Sequence, residues 1–199
     1  ILTLTGLGGS GNYLFTYNIN GGTNQTILST AGSASITVPT SAAGTFTYNL
    51  VSVEDPSNTL CNLAVSGFAT VTVNPLPTAS IAGTTSVCKN APAPHVSFTG
   101  SGGTAPYTFN YSINGGPLQQ VISAANGIGT VAAPTSTPGT YTYTLASVTD
   151  GSSTLCAQNQ TGNVVVIVNP LPTASIAGTT AVCQSAAQPT VTFTGASGT

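Results

Sequence analysis

The sequence predicts an all-β protein built from tandem two-layer sandwiches, and three observations carry this prediction. The chain repeats with a fixed period, its apolar residues alternate with polar ones in several short segments, and only 2 % of its 199 residues are charged. A fixed period indicates one structural unit copied in tandem rather than one large domain. Alternation with a period of two is typical of strands that bury one face, whereas a helix would spread the same residues around its axis.

The period is clearest in a stretch that returns letter for letter. Asn74–Thr85 recurs as Asn169–Thr180, which is 95 residues later, and the offset becomes 94 toward the N-terminus. We therefore predict a partial repeat that lacks its first strand over residues 1–74 and a complete repeat over 75–169. Residues 170–199 supply the first strands of a third repeat.

The complete repeat divides into short strands. In the strongest of them, Tyr107, Phe109, Tyr111 and Ile113 share one face, and the turn that follows begins at Asn114, a residue type that tolerates positive φ. The other predicted strands are 78–82 with a continuation at 87–88, 95–99 with Val96 and Phe98 inward, one or two in 121–134, 138–145, and 163–168. About seven strands separated by turn signals indicate an immunoglobulin-like β-sandwich, in which a second sheet covers the Tyr/Phe face.

The composition excludes several classes of function. The chain has one basic residue, three acidic residues and one His, which is too little positive charge to neutralise nucleic-acid phosphates or to hold an anionic membrane surface. No run of residues approaches the ~18 apolar positions of a membrane-spanning helix. We therefore expect no nucleic-acid partner and no direct membrane insertion. A polar surface made of Thr, Ser, Asn and Gln is typical of a β-rich extracellular protein.

No catalytic, cofactor-binding or metal-binding site can be assembled from the sequence. His95 is the only imidazole, and no Cys, Asp or Glu stands at ligand spacing around it. Asp55 and Asp150 occupy matching loops, where turn formation is favoured over calcium binding because each lacks carboxylate partners. Asp150 is also the only acid of the complete repeat, so glycoside hydrolysis by two carboxylates is excluded there. The sequence predicts a protein that is not an enzyme and uses no cofactor.

Four cysteines without a CxxC pair favour disulfides over zinc in a secreted chain. One possibility is a bridge within the complete repeat between Cys88 and Cys156. The other is a pair of staples between successive repeats, Cys61 with Cys88 and Cys156 with Cys183, each spanning 27 residues. We favour Cys88–Cys156, because one cysteine precedes the second core strand and the other follows the last hairpin, where sandwich strands can be neighbours.

The last strand of the complete repeat is apolar on both faces. Val165 and Ile167 stand where the first repeat has Thr70 and Thr72. Apolarity on both faces implies that the outer face is covered. We predict that Val165 or Ile167 contacts a neighbouring domain or chain.

The junctions between repeats leave almost no free linker. Pro75 and Pro77 follow the closing strand at once, and two fixed φ angles favour an extended chain. Neighbouring repeats of the same chain are therefore the first partners expected, held at a restricted angle in a semi-rigid rod.

Three segments of the complete repeat resemble a known family. They are Gly102–Phe109 (GGTAPYTF), Pro138–Tyr143 (PGTYTY) and Val148–Cys156 (VTDGSSTLC). They are similar to the tandem Ig-like or PKD-like repeats of giant cell-surface adhesins of gliding Bacteroidetes, the SprB-type gliding-motility adhesins, and the resemblance covers the whole chain. It implies type IX secretion and an extracellular position on the bacterial outer membrane. Family repeats often carry one Cys before the second strand and one after the last hairpin, which maps onto Cys88 and Cys156.

The leading hypothesis is a structural stalk or filament segment of a large bacterial cell-surface adhesin, giving reach and multivalent attachment in gliding motility. One rival is a binding module in which loops such as Asn114–Gln120 contact surface glycans or proteins. Another is a subunit of a self-assembling extracellular fibre. The resemblance adds the gliding and secretion machinery as possible partners.

Overall fold

The computed structural model describes residues 1–57 and 61–196, and the chain is all-β, as predicted. It divides into two compact units, Ile1–Pro75 and Leu76–Thr199. The boundary between the units falls in the proline-rich junction that follows the last strand of the first repeat. Nothing described in either unit is helical.

The first unit contains six strands in two sheets. The strands are β1 (Leu2–Thr5), β2 (Leu14–Ile19), β3 (Gln25–Leu28), β4 (Ser33–Ile36), β5 (Gly44–Asp55) and β6 (Cys61–Val73). One sheet is the antiparallel pair β1-β4, and the other has the order β3-β2-β5-β6. Each aromatic strand therefore lies in the larger sheet and turns its apolar face toward the pair.

The second unit is a more complete sandwich. Its strands are β7 (Thr78–Ala82), β8 (Thr85–Cys88), β9 (His95–Ser101), β10 (Thr108–Ile113), β11 (Gln119–Ile122), β12 (Ile128–Ala132), β13 (Gly139–Thr149), β14 (Ala157–Asn159) and β15 (Asn163–Asn169). One sheet has the order β12-β9-β7, and the other has the order β11-β10-β13-β15-β8 with β14 paired to β13. A further ribbon, β16 (Thr173–Ala177) with β17 (Thr192–Ala196), follows the sandwich.

The core of the second unit consists of the residues that the alternation places inward. Val96, Phe98, Phe109 and Tyr143 have no exposed surface, and the ring centroids of Phe98 and Tyr111 are 5.0 Å apart. These side chains come from both sheets, so the burial of one sheet's apolar face depends on the other. The inward direction of Tyr107, Phe109 and Tyr111 is confirmed.

The strand register defines two opposite ends of this sandwich. At the leading end, Thr78 pairs with Ser101, and Thr108 pairs with Thr149. At the trailing end, Gly139 pairs with Val168. The chain thus begins its first strand at one end of the sandwich and finishes its last strand at the other.

The predicted disulfide between Cys88 and Cys156 is wrong, because both side chains are free thiols. Cys88 pairs with Asn169 at the trailing end, whereas Cys156 follows Asp150 at the leading end, one length of β13 away. Ten steps at ~3.4 Å per residue separate those ends by about 34 Å, and a disulfide needs Cα atoms within about 7 Å. Cys183 is also a free thiol, so neither of the two alternative staples forms.

The sequence did not predict that the first strand changes sheets. β7 pairs with β9 in the smaller sheet, and after Gly83 the chain crosses over so that β8 pairs in parallel with β15 in the larger one. Gly83 has a φ of +128°, and a Cβ there would lie 2.8 Å from the carbonyl oxygen of His95. This crossover connects the two sheets covalently. It also places Cys88 in the larger sheet, whereas the second core strand, β9, lies in the smaller one.

One buried polar atom of the core has no partner. The hydroxyl of Tyr143 is the one buried side-chain nitrogen or oxygen without a hydrogen bond in residues 1–57 and 61–196. Burial raises the pKa of Tyr143, and the neighbouring Tyr111 and Tyr141 add to this shift. The hydroxyl therefore costs desolvation that nothing in the core repays.

We predict that Tyr143→Phe leaves the free energy of unfolding unchanged or raises it by about 1 kcal/mol, because an unpaired hydroxyl is removed. The matched control is Tyr107→Phe, since the Tyr107 hydroxyl donates to the carbonyl oxygen of Gly102 and its loss should cost about 1 kcal/mol. Urea unfolding followed by circular dichroism measures both. Equal destabilisation by the two substitutions would contradict the prediction.

Candidate functional site

Asp55 and Asp150 each hold two loops together at the leading end of their repeat. We call this arrangement of one carboxylate and its hydrogen-bond donors a loop clamp. In the second unit, the Asp150 carboxylate accepts hydrogen bonds from the Thr104 backbone N–H at 3.1 Å and from the Ser152 hydroxyl at 2.8 Å. The Gly151 N–H donates to the Thr104 carbonyl at 2.7 Å. These contacts tie the loop between β9 and β10 to the loop after β13.

The first unit has an equivalent clamp, although Pro56 stands at the position of Gly151 and cannot donate the backbone hydrogen bond that Gly151 makes. Asp55 accepts from the Ser10 backbone N–H at 2.7 Å, from the Ser10 hydroxyl at 2.6 Å and from the Ser57 N–H at 3.0 Å. Gly9 and Gly103, which precede Ser10 and Thr104, both have a φ of +63°. Glycine is needed there because it lets the loop backbone approach the carboxylate in a left-handed conformation.

The electrostatics of the clamp follow from its donors. Burial acts to raise the pKa of Asp150, but hydrogen bonds from the Ser152 hydroxyl and from the backbone N–H groups of Thr104, Ser152 and Cys156 outweigh it. The pKa of Asp150 is therefore lowered from its ordinary value of 3.8. The hydrogen bonds from Ser10 likewise lower the pKa of Asp55.

Hydrogen-bond donors surround the carboxylate of the clamp. Its carboxylate lone pairs face N–H and O–H donors, whereas a calcium site presents several oxygen acceptors to the ion. Across residues 1–57 and 61–196, no group of three His, Cys, Asp or Glu residues is close enough to hold a metal ion. His95 is exposed on β9 opposite Ala132, far from any acidic side chain in sequence.

In the loop considered for ligand binding, Asn114–Gln120, three side chains form hydrogen bonds to neighbouring strands. The Asn114 side chain accepts from the Thr142 N–H at 2.7 Å and donates to the Thr140 carbonyl at 3.2 Å. Gln119 accepts from the Tyr111 hydroxyl, and Gln120 donates to the Asn110 side chain.

The outer face of β15 is only partly covered. Val165 is partly buried, and its backbone N–H donates to the Thr84 hydroxyl at 3.4 Å, whereas Ile167 is 41 % exposed. β8 shields this edge of the sheet by pairing Ser86 with Ile167. The contact predicted for Val165 or Ile167 with another domain or chain stays a prediction.

The first unit has two apolar grooves on one side of its sandwich. The first has a volume of about 250 Å³ and includes Leu4, Tyr17, Tyr48, Gly67 and Phe68 in its lining. The second, of about 510 Å³, continues along the same strands past Leu50. The sequence analysis did not predict these grooves. The predicted absence of a first strand from this repeat was the available signal, because an uncovered sheet leaves part of its apolar face open.

The part of the chain that the structure describes contains no helix that could cross a membrane.

No protein-family profile and no curated protein matches the chain. Two solved structures are similar to it at 19 % sequence identity. One, described as "Ca2+-stabilized adhesin helps an Antarctic bacterium reach out and bind ice", has a TM-score of 0.42, and the match covers 88 % of this chain and 46 % of that chain. The other, "Structural insight into host cell surface retention of a 1.5-MDa bacterial ice-binding adhesin", has a TM-score of 0.46 with 88 % and 61 % covered. The chain therefore spans less than two thirds of either.

We predict that Asp150→Asn lowers the free energy of unfolding by about 1–2 kcal/mol at pH 7, because charge-assisted hydrogen bonds are weakened. The folded-state pKa lies below 3.8, so the carboxylate's contribution is complete above that value and is lost as the pH falls through the folded pKa. The difference between variant and parent should therefore shrink in acid. Unfolding by urea at pH 7 and at pH 2.5 checks this, and a difference that persists unchanged at the lower pH would contradict it.

We predict that Cys88 is alkylated by iodoacetamide in the folded protein without reductant, because its thiol is free and exposed. Peptide mass spectrometry locates the modification. The control is the same protein treated first with a reductant. Labelling of Cys88 that appears only after reduction would show that it belongs to a disulfide.

Proposed function

We propose that this chain is a stalk segment of a large bacterial cell-surface adhesin, in which tandem β-sandwiches hold a binding region away from the cell. The role is structural and not enzymatic. It depends on the length of the array and on the number of weak contacts that repeated units can make at once.

The observation that carries the proposal is that one sandwich is built twice from equivalent residues. Tyr17 and Tyr48 occupy the positions of Tyr111 and Tyr143, and each pair stacks, with ring centroids 6.4 Å and 6.2 Å apart. The loop clamps of Asp55 and Asp150 are also equivalent. A repeated unit in which the chain starts at one end and finishes at the other is suited to extension in one direction.

The chemistry of the surface favours a structural spacer role for this chain over a ligand-binding role. Asp55 and Asp150 accept hydrogen bonds from Ser10 and Thr104 of the adjacent loops, and Asn114 is engaged by the backbone of β13. With 2 % charged residues, the chain has little means of strong electrostatic recognition. Binding of a specific ligand is then a task for other parts of such an adhesin.

The finer assignment follows the resemblance of the repeat motifs. We propose an extracellular position at the outer membrane of a gliding bacterium, reached through type IX secretion, with neighbouring repeats and the gliding machinery as partners. Surface glycans are the partners that the rival binding-module hypothesis expects. The Thr-Pro-Gly-Thr-Tyr segment that ends in Tyr141 and the Asp150 loop carry this resemblance.

The proposal is tested by measuring the maximum dimension of polypeptides that contain two, four and six copies of residues 75–169. Because β13 has 11 residues, we expect each copy to add about 35–40 Å to the maximum dimension in small-angle X-ray scattering, at constant cross-section. Replacing the exposed Pro75 with Gly in every junction should shorten the array by loosening it. A maximum dimension that levels off with copy number would contradict the stalk.

The same polypeptides test the rival hypothesis that the chain is a glycan-binding module. A glycan array probed with the six-copy polypeptide should show no binding above that of an unrelated β-sandwich. Selective binding that is lost on substituting exposed residues of Asn114–Gln120 would favour a binding module.

A further inference from the structure

Strand β11 ends the larger sheet of the second unit with unpaired backbone groups. It pairs with β10 on one side, and no strand within residues 1–57 and 61–196 pairs with its other side. The Ser123 N–H donates to the Tyr107 carbonyl at 2.8 Å, and hydrogen-bonded pairs alternate along an antiparallel ladder. The N–H and C=O groups of Gln120 and Ile122 therefore point away from β10.

Two other edges of the same sandwich are covered by polar groups of the chain itself. On β7, the Ala79 N–H donates to the Gln160 side chain at 3.0 Å. On β12, the Ile128 N–H donates to the Asn126 side chain, and the Ile128 carbonyl accepts from the Ala124 N–H. Natural proteins cover sheet edges or place charged residues and proline on them, because an open edge pairs with other strands. β11 has neither a charged residue nor a proline among its four residues.

The outer face of this edge carries exposed apolar side chains. Ile122 is 65 % exposed, and Leu118, which directly precedes the strand, is 64 % exposed, with Gln120 exposed between them. Side chains alternate along a strand, so these three share one face, whereas Val121 packs against the core. The row therefore has the same order, apolar then amide then apolar, in both directions.

We propose that β11 of one copy of this chain pairs antiparallel with β11 of a second copy, about a two-fold axis at Gln120. In this register Leu118 of each copy lies opposite Ile122 of the other, and the two Gln120 residues face each other. The positions whose backbone groups point outward form the hydrogen-bonded pairs, and the two larger sheets become one. The contact is isologous, so it closes at two copies.

The chemistry of the row fits a second copy of itself. Pairing in this register brings the exposed apolar side chains together across the strands, and such cross-strand pairs stabilise a sheet. Like charges placed opposite each other would oppose pairing, but the charged residues of the complete repeat are Lys89 and Asp150, and neither lies in β11. The two copies therefore meet without electrostatic repulsion along the edge.

The first unit provides an internal comparison. Its equivalent row is Asn24, Thr26 and Leu28, on and directly before β3. The same two-fold register would place Asn24 opposite Leu28, which removes the apolar pair. We therefore assign the contact to the second unit.

The direction of the pair decides which copies can form it. Strands run between the leading and trailing ends of the sandwich, so antiparallel β11 strands place the leading end of one copy beside the trailing end of the other. If the chain is a stalk segment, as proposed above, copies fixed to one cell share a direction, whereas copies on two facing cells run in opposite directions. The pair then fits contact between cells, and this step rests on the proposed function.

The test uses the whole chain and the position on the two-fold axis. Gln120→Lys and Gln120→Glu each place two like charges opposite each other, so either variant alone should stay at single-copy mass in size-exclusion chromatography with light scattering. The parent mass should rise with concentration toward twice that value and no further. Thr26→Lys is the matched control, because it puts the same charge at the equivalent exposed position of the first unit, and it should associate like the parent.

Mixing the two charged variants gives the decisive result. Opposite charges then face each other, so a 1:1 mixture should recover the two-copy mass. A parent chain that stays at single-copy mass at every concentration would overturn the proposal. So would a charged variant that associates alone, or a mixture that stays monomeric.

Cysteine trapping in air tests the register, in chains whose four native cysteines are replaced by Ser. Gln120→Cys should form a disulfide-linked two-copy species, because hydrogen-bonded antiparallel pairs hold their Cα atoms about 5.5 Å apart, within reach of a disulfide. Leu118→Cys should form much less, since four residues at ~3.4 Å each separate it from its counterpart. Equal trapping at both positions, or none at Gln120, would refute this geometry.

Beads that carry the chain through its N-terminus test the direction of the pair. Copies on one bead share a direction, so pairing should join different beads, and beads with the Gln120→Lys chain should stay dispersed. Parent beads that stay dispersed while the soluble chain forms the two-copy species would contradict contact between cells. Gln120→Lys also keeps tandem copies of residues 75–169 apart in the scattering experiment, so failure of the stalk is measured separately from failure of the pair.

Discussion

The core strands of the second sandwich, such as β9, β10 and β15, depend on a second layer, because each buries one apolar face. Phe98 on the smaller sheet and Tyr111 on the larger one, with ring centroids 5.0 Å apart, are hidden from water only by each other's sheets. Only 2 % of the residues are charged, and Cys88 and Cys156 are free thiols, so neither ion pairs nor that disulfide can replace this packing. The closure of the two sheets over the aromatic rows is therefore the interaction on which the repeat depends.

The first strand of the repeat completes this closure by joining both sheets. In the second unit, β7 covers the core on one side and β8 seals the edge of β15 on the other. In the first unit, whose described residues contain no counterpart of β7 or β8, the same core positions are partly exposed and an apolar groove lies beside them. The loops at the leading end are held in a different way. Asp55 and Asp150 fix them with hydrogen bonds that do not depend on the first strand.

Much of the fold could be predicted because periodicity reports burial directly. The alternation around Phe109 and Val96 identified the inward faces, and the short strand at 78–82 matches β7. The separation of Cys88 from Cys156 could not be predicted, because sequence spacing does not say at which end of a strand a residue lies. The crossover after Gly83 depends on a contact between β8 and β15, which are far apart in sequence, and carries no local signal. The sequence analysis did not predict that the two aspartates join loops, since the donors that cross between loops include the N–H groups of Thr104 and Ser10, which any residue type except proline provides.

The most direct test of this dependence compares two nearly identical segments in one polypeptide, residues 76–199, by amide hydrogen exchange. We expect strong protection of the backbone amides of Thr85–Cys88, which pair with β15, and rapid exchange at the equivalent residues 180–183, which form no strand. Similar protection of the two segments would contradict it, because the strand would then form without the second layer.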